Sequence, residues 1–412
     1  MKKRIIYISI LVLACTACFN LNKLSLYNIS NQYSNTLFTK LEAIAFNVDS
    51  NMVRVYMPVL LSDMIIEQDT VNARSYKKVE ISYVLFETYE SGQILDSASM
   101  LLTDSVCMLA DTLYSFDISY PGVSDYILKL SITDLNRIDA VAAFLDIDNT
   151  ADDSRHNFLL KDMHGEILFR SVLTANEAFS LNISGHVPES LFVRYYHREF
   201  PLALPPFMEE EDVNFDYDAD SVFHLAVTGG KTGLSHLPDM GFYHFQKDTS
   251  QRNGYTIFRF YHGFPEIISA EQMLHPLRYI TSRSEYRELT ETKDVKLAVD
   301  DFWLDNAGNA SRARAMIQKF YGRVVDANNF FTSYHEGWKT ERGLVYIVYG
   351  PPKLVYRGNG IEEWIYGEEG NPNSISFQFV KVENPFSEND YSLIKSPSYK
   401  EKWYNMVNSW RR

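Results

Sequence analysis

Cysteine is nearly absent from this chain: three in 412 residues. So few thiols exclude a disulfide-stapled scaffold, and a chain of this length builds its cores without staples. Glycine and proline, at 19 and 14 residues, are too scarce for collagen or low-complexity sequence. Positive charge is also short. There are 39 Lys and Arg against 53 Asp and Glu, a formal charge of −14, and no basic cluster after Arg4. That excludes non-specific nucleic-acid binding, which needs clustered cations to neutralise phosphates. Long hydrophobic runs are missing too. The one candidate, Ile5–Ala14, falls well below the roughly 20 residues that span a bilayer as a helix.

What is present begins with that short run. Lys2, Lys3 and Arg4 precede it, and Val12-Leu13-Ala14-Cys15 closes it. A positive n-region, an apolar core and a small residue before the cut make a signal peptide over 1–14. The cysteine directly after Ala14 resembles a bacterial lipobox, with Cys15 as the lipidated residue and Cys18 as the alternative. Two or three acyl chains at about 0.8 kcal/mol per buried CH₂ hold a protein at a membrane without a spanning helix. Cys107, in the apolar setting Val106-Cys107-Met108, reads as a buried thiol.

Aromatics are 14% of the chain, which suits β-rich packing. Residues 15–36 read as a polar tether. Over 37–150 apolar and polar residues alternate, as at Val53/Val55, Val79/Ile81/Tyr83/Leu85 and Tyr126/Leu128/Leu130/Ile132. Period two predicts half-buried antiparallel strands and an Ig-like β-sandwich. Asp146–Asp153 reads as a charged linker. A second β-rich domain is expected over 155–265, with strands near 166–172, 179–183, 191–197, 222–228, 241–245 and 255–261.

From Ser269 the period changes to that of helices. Ser269/Gln272, Ser282/Glu285 and Ser398/Glu401 fit the capping box. One apolar face runs through 294–304 and another through 311–334, the latter a helix of about six turns. Leu344–Tyr349, apolar on both faces, predicts a buried strand. Short strands follow at 354–357, 362–366 and 375–382, and a last helix at 398–410. The fold class expected is mainly β: two β-sandwich-like domains, then an α+β C-terminal domain over 266–412.

The stretch Glu336-Gly337-Trp338-Lys339-Thr340-Glu341-Arg342-Gly343, running into Leu344–Pro352, resembles the signature of the GWxTD-domain proteins of bacterial envelopes, Bacteroidota above all. Ala298–Leu304, Asn329–Tyr334, Glu363–Tyr366 and Tyr195–Leu202 resemble that family as well. Glu341 stands where the family usually has Asp. The resemblance implies an envelope lipoprotein and brings no enzymatic activity with it. Physically, Gly337 and Gly343 suit backbone angles closed to other residues. Trp338 is a packing anchor for the long helix. Thr340 and Glu341 can cap exposed N–H groups, and Arg342 has Glu341, Glu362 and Glu363 as candidate partners.

Other chemistry has little footing. No nucleophile elbow appears. His335-Glu336 lacks the second histidine of a zinc protease. Gly229–Gly233 lacks the upstream glycine of a phosphate loop and reads as a hairpin turn. Asp216–Asp220 lacks the Gly and Glu of a calcium loop. Asp300/Asp301 and Glu362/Glu363 are candidate carboxylate pairs, with ion pairing to Arg312 or Arg314 the plainer account of the first. Tyr255, Phe258, Phe260 and Tyr261 suggest a sugar platform, but both strand faces are apolar, which fits a core. The expectation is a non-catalytic, lipid-anchored scaffold at the periplasmic face of the outer membrane, docking on an envelope protein partner, with no metal or cofactor. A glycan-binding lipoprotein and a hydrolase of envelope polysaccharide are the alternatives.

Overall fold

The computed structural model describes residues 24–34, 41–69, 74–105, 112–119, 124–137, 139–148, 153–209, 215–358 and 360–411. The signal peptide, Cys15, Cys18 and Cys107 lie outside them.

Eight strands form the first unit: β1 (Ile44–Asp49), β2 (Met52–Val59), β3 (Glu67–Asp69), β4 (Arg74–Phe86), β5 (Ile94–Ser105), β6 (Thr112–Ser119), β7 (Asp125–Asp134) and β8 (Asp139–Asp148). Strands β1, β2 and β6 make one antiparallel sheet. Strands β4, β7 and β8 carry the other, with β3 and β5 also paired to β4. Alternation decides the faces. Val53, Val55, Met57 and Val59 on β2 meet Val79, Ile81 and Leu85 on β4 and Leu128, Leu130 and Ile132 on β7, all buried. Each such side chain contributes roughly 1.5–3 kcal/mol by leaving water. The expected linker is partly strand: Asp146–Asp148 end β8. Asp153 is buried and accepts the backbone N–H groups of Lys247 and Asp248 at 3.2 and 3.1 Å.

The second unit is one seven-stranded antiparallel sheet curled upon itself. Its strands are β9 (Phe158–Asp162), β10 (Phe179–Ile183), β11 (Ser190–Tyr196), β12 (Ser221–Thr228), β13 (Lys231–Thr232), β14 (Gly241–Gln246) and β15 (Tyr255–Arg259). The order is β15-β14-β11-β12-β13-β10-β9. The segment expected as a strand near 166–172 is no strand. It crosses from one sheet edge to the other, through a bridge of Ile167 to Lys161 and another of Val172 to Phe258. Two edges are thereby covered without adding a ladder. Gly229 and Gly230, both at positive φ, make the β12–β13 hairpin turn.

The third unit starts with helices: α1 (Ala270–Leu274), α2 (Arg283–Glu291), α3 (Val295–Ala307), α4 (Ala310–Phe331) and α5 (Glu341–Tyr349). Four antiparallel strands follow, β16 (Leu354–Gly358), β17 (Ile361–Tyr366), β18 (Ile375–Lys381) and β19 (Tyr391–Leu393), and then α6 (Lys400–Ser409). The capping boxes at Ser269/Gln272 and Ser282/Glu285 are both formed. That at Ser398 is not: Ser398 sits in a 3-10 turn and its N–H goes to Ser396 Oγ. The α4 helix stops at Phe331, so Tyr334 lies in the loop beyond it. Leu344–Tyr349 is helix, not strand. Short apolar runs do not separate the two by periodicity. Here α5 is buried nearly all round, which removes the polar face that marks a surface helix.

The N-terminal segment is no tether where it is described. Leu24 packs with Phe86, Tyr89 and Ile127 of the first unit. Ile29 donates its N–H to the Val355 carbonyl at 2.9 Å, and Val355 N–H goes to Asn28 Oδ1 at 2.9 Å. Tyr33 then enters the core of the third unit among Phe330, Phe331 and Trp364. Residues 24–33 thus form a strap along the free edge of β16, joining the first unit to the third.

Candidate functional site

The motif residues occupy the turn between α4 and α5. Gly337 is required by close approach. A Cβ there would sit 2.0 Å from the Ala327 carbonyl oxygen, and one on Gly343 would sit 2.0 Å from the Gly337 oxygen. Neither is among the residues at positive φ, so backbone freedom is not the reason for them. Trp338 is buried as expected against the long helix. Its N–H reaches Asn328 Oδ1 at 3.1 Å, and its carbonyl accepts the Tyr279 hydroxyl at 3.0 Å. Thr340 caps α5, accepting the Gly343 N–H at 2.9 Å and donating to the Gly337 carbonyl at 2.8 Å. A capping hydroxyl of this kind is worth about 1 kcal/mol.

Glu341 reaches out of the turn. One oxygen takes the Leu393 N–H and the Ser392 hydroxyl, and the other pairs with Lys395 at 2.8 Å. It thereby fastens the outer edge of β19. Arg342 turns inward and is only 1% exposed. Its guanidinium lies 4.1 Å from the Tyr391 ring centre and 5.1 Å from that of Phe331. Nη2 donates to the Asn389 carbonyl at 3.0 Å and to that residue's side-chain oxygen. Nη1 lies 3.6 Å from Glu362 Oε1, beyond hydrogen-bond length.

Of the three carboxylates open to Arg342, Glu362 is the one it meets. Glu362 is 0% exposed and is the hub of the site. Arg357 donates Nε and Nη2 to its Oε2 at 2.9 and 2.7 Å. Trp364 Nε1 donates to Oε1 at 2.7 Å, and the Tyr33 hydroxyl is shared between both oxygens at 2.8 and 3.0 Å. Burial alone would raise the Glu362 pKa. The charges of Arg357 and Arg342, with the hydrogen bonds from Trp364 and Arg357, outweigh it and hold the carboxyl below its usual range. The Tyr33 hydroxyl is pushed up, first by burial and then by Glu362. Asp390, beside this cluster, is raised to about 6, mainly by burial.

The other sequence candidates disperse. Asp300 pairs with Lys296 at 3.0 Å, not with Arg312 or Arg314. Asp216 and Asp220 flank Arg198, whose Nη1 lies 2.7 Å from Asp220. Phe258 is buried, with the Phe260 ring stacked beside it at 5.9 Å, and Asn328 donates to the Tyr261 hydroxyl at 3.1 Å. Tyr261, His262 and Phe264 do line an open groove of about 950 Å³ between residues 167–175, 259–265 and the end of α4. Asp125 and Asp148, cross-strand partners on β7 and β8, line a smaller cleft of about 440 Å³. Burial, then its neighbour Asp148, raises the Asp125 pKa. Among the described residues no group of three or more His, Cys, Asp or Glu is arranged to hold a metal ion.

Residues 241–412 match the model of the GWxTD domain. This chain carries a GWxTD domain. No curated protein matches the chain. The match opens at Gly241, so it takes in β14 and β15 of the second unit's sheet as well as the whole third unit. Asn328 shows why these travel together. From inside the GWxTD domain's long helix it holds Tyr261 and the Pro265 carbonyl on one side and Trp338 on the other. The motif is legible in the sequence, whereas Tyr33, Asn328, Arg357 and Asn389 are not marked there as its partners. Only Arg357 carried a local signal: the hairpin register sets it opposite Glu362. Nothing near Tyr33 in the sequence points to a partner in β17.

Proposed function

We propose that this protein is a non-catalytic, lipid-anchored envelope protein, held at the periplasmic face of the outer membrane through Cys15 (or Cys18) and working as a scaffold for an envelope protein partner. One observation carries the reading. Trp338, Thr340 and Arg342 are buried, the Thr340 hydroxyl capping α5 and Arg342 Nη2 bonding Asn389, and Glu341 is spent on β19. A site built to turn over substrate leaves its polar groups facing a cleft. These groups instead lock the third unit internally and, through Glu362, reach Tyr33 of the N-terminal strap, which suits a rigid platform. The test replaces Cys15 and Cys18 together by Ala. The variant should leave the membrane fraction, and purification of the anchored protein in mild detergent should bring down a partner in fixed ratio. Unchanged sedimentation with membranes would remove the anchor. Recovery of bare monomer at native abundance would remove the scaffold.

The hydrolase alternative draws on Asp125 and Asp148. They touch each other, however, whereas the two carboxyls of a glycosidase stand roughly 5–9.5 Å apart to admit the sugar or a water. The glycan-binding alternative draws on the groove beside Tyr261 and Phe264. Titration of the purified protein with envelope-glycan fragments, read by tyrosine and tryptophan fluorescence, separates it from the scaffold.

A further inference from the structure

The strap fixes which part of the molecule faces the lipid. Leu24 and Ser25 are clamped where the first unit meets the C-terminal sheet. Ser25 N–H donates to the Tyr89 carbonyl at 2.8 Å. A Cβ on Gly358 would meet both Ser25 Cβ and Glu90 Oε1, at 2.9 and 2.8 Å. The Glu90–Gln93 turn, the β16–β17 hairpin and the strap therefore share one corner. An extended chain gains at most about 3.5 Å per residue. From Cys15 to Leu24 the reach is then no more than about 32 Å, and from Cys18 about 21 Å. A compact chain of this length has a radius of gyration of about 22 Å, so it is more than 40 Å across. The bilayer cannot lie against the far side of the protein while Leu24 stays clamped.

We propose that the membrane surface lies against this corner, so that the GWxTD domain and the adjoining turn of the first sandwich are held next to the lipid headgroups. The proposal rests on the anchored reading above and adds an orientation to it. Exposed apolar side chains sit where it places the lipid. Leu26 on the strap is 63% exposed, and Ile361 and Val380, direct partners across β17 and β18, are 39% and 40% exposed. Their apolar surface would add modestly to an acyl anchor. A tether of the kind expected over 15–36 would have left the orientation free. The docked strap removes that freedom.

The test places a fluorophore at one of two exposed positions, Gln93→Cys in the corner turn or Asn373→Cys in the β17–β18 turn at the opposite end of the sheet, in a Cys18→Ser, Cys107→Ser background. The lipidated protein is reconstituted into phosphatidylcholine vesicles that contain a nitroxide-headgroup lipid, and the vesicles are floated. Quenching several-fold stronger at position 93 than at 373 is expected. A flexible insert of about 20 Gly/Ser residues between Lys23 and Leu24 should abolish that difference, because it adds roughly 25 Å of mean reach without touching the fold. Equal or reversed quenching in vesicles that float with protein overturns the orientation and leaves the anchor standing. Protein that floats neither here nor with Cys18 kept and Cys15→Ser overturns the anchor, and the orientation with it.

Discussion

The first sandwich and the GWxTD domain are stabilised in different ways. In the sandwich, apolar side chains alternate along β2, β4 and β7 and meet across the two sheets. Each contact is replaceable by another of similar size. In the GWxTD domain a buried carboxylate is held by two arginines, an indole and a tyrosine from far along the chain. Removal of one member there leaves its partners charged and dry. The first arrangement tolerates change in proportion to volume. The second fails as a set.

The largest effect is expected at Glu362. Glu362→Ala leaves buried Arg342 and half-buried Arg357 without their counter-charge, which costs about 3–5 kcal/mol. It also frees Tyr33, so limited proteolysis should begin to cut within residues 24–34. Leu128→Ala in the sandwich also costs a few kcal/mol, about 2–5, but should leave the strap protected. Urea unfolding followed by tryptophan fluorescence gives the first comparison, and mass spectrometry of the fragments gives the second. Equal protection of the strap in both variants would mean that Tyr33 is held by its aromatic neighbours alone.

Gly337→Ala comes next. The added methyl would lie 2.0 Å from a backbone oxygen of α4, so helix or turn must move, at about 3 kcal/mol or more. Gly322, in the middle of the same helix with nothing near its absent Cβ, is the control. Gly322→Ala should stabilise by about 0.5–1 kcal/mol. Thermal melts of the two variants should move in opposite directions.

These two glycines show how much could be read in advance. Alternation exposed the sandwich strands because one solvent face and one core face leave a period of two. The capping boxes at Ser269 and Ser282 were legible because their bonds close within four residues. The α5 helix was misread because Leu344–Tyr349 is apolar on both sides and rich in β-branched and aromatic residues. Its helical state is imposed by the Thr340 cap and by burial on every side. The Tyr33–Glu362 bond was invisible, since its partners are 329 residues apart and neither has an unusual neighbourhood. Short-range pattern carries local structure. A buried charge cluster is long-range, and only the fold assembles it.

Acid should separate the regions in a third way. His335, half-buried in the turn before the motif, and His244, buried on β14, are both lowered to about 4, chiefly by desolvation. Their folded pKa values lie below the unfolded value near 6.5. The stability they hold is full above that value and falls as pH drops toward 4, because the unfolded chain takes up the protons first. Between pH 7 and 5 each should cost about 2 kcal/mol. Asp390 works the other way. Its raised pKa means that folding favours its protonated form, so its own contribution improves as pH falls through about 6 toward 4. Denaturant midpoints at the two pH values, compared with a His335→Gln variant, should show the variant losing less on acidification. An identical loss would place the acid sensitivity elsewhere.

The smallest effect concerns Glu341, the position where the motif departs from the usual GWxTD signature. Glu341→Asp restores the usual residue and keeps the charge in the first turn of α5, where it favours the helix dipole equally well. What changes is reach. Glu341 spans from α5 to β19, taking the Leu393 N–H and Ser392 hydroxyl with one oxygen and Lys395 with the other. A carboxylate one methylene shorter cannot hold both sides. The Leu393 N–H, at the edge of the sheet, is the bond that matters, and its loss should cost about 1 kcal/mol. Amide exchange at Leu393 should quicken while that at Gly343 stays slow, since Thr340 caps the latter. Unchanged protection at Leu393 would show that β19 closes on the shorter acid, and that the extra methylene in this chain is tolerated, not used.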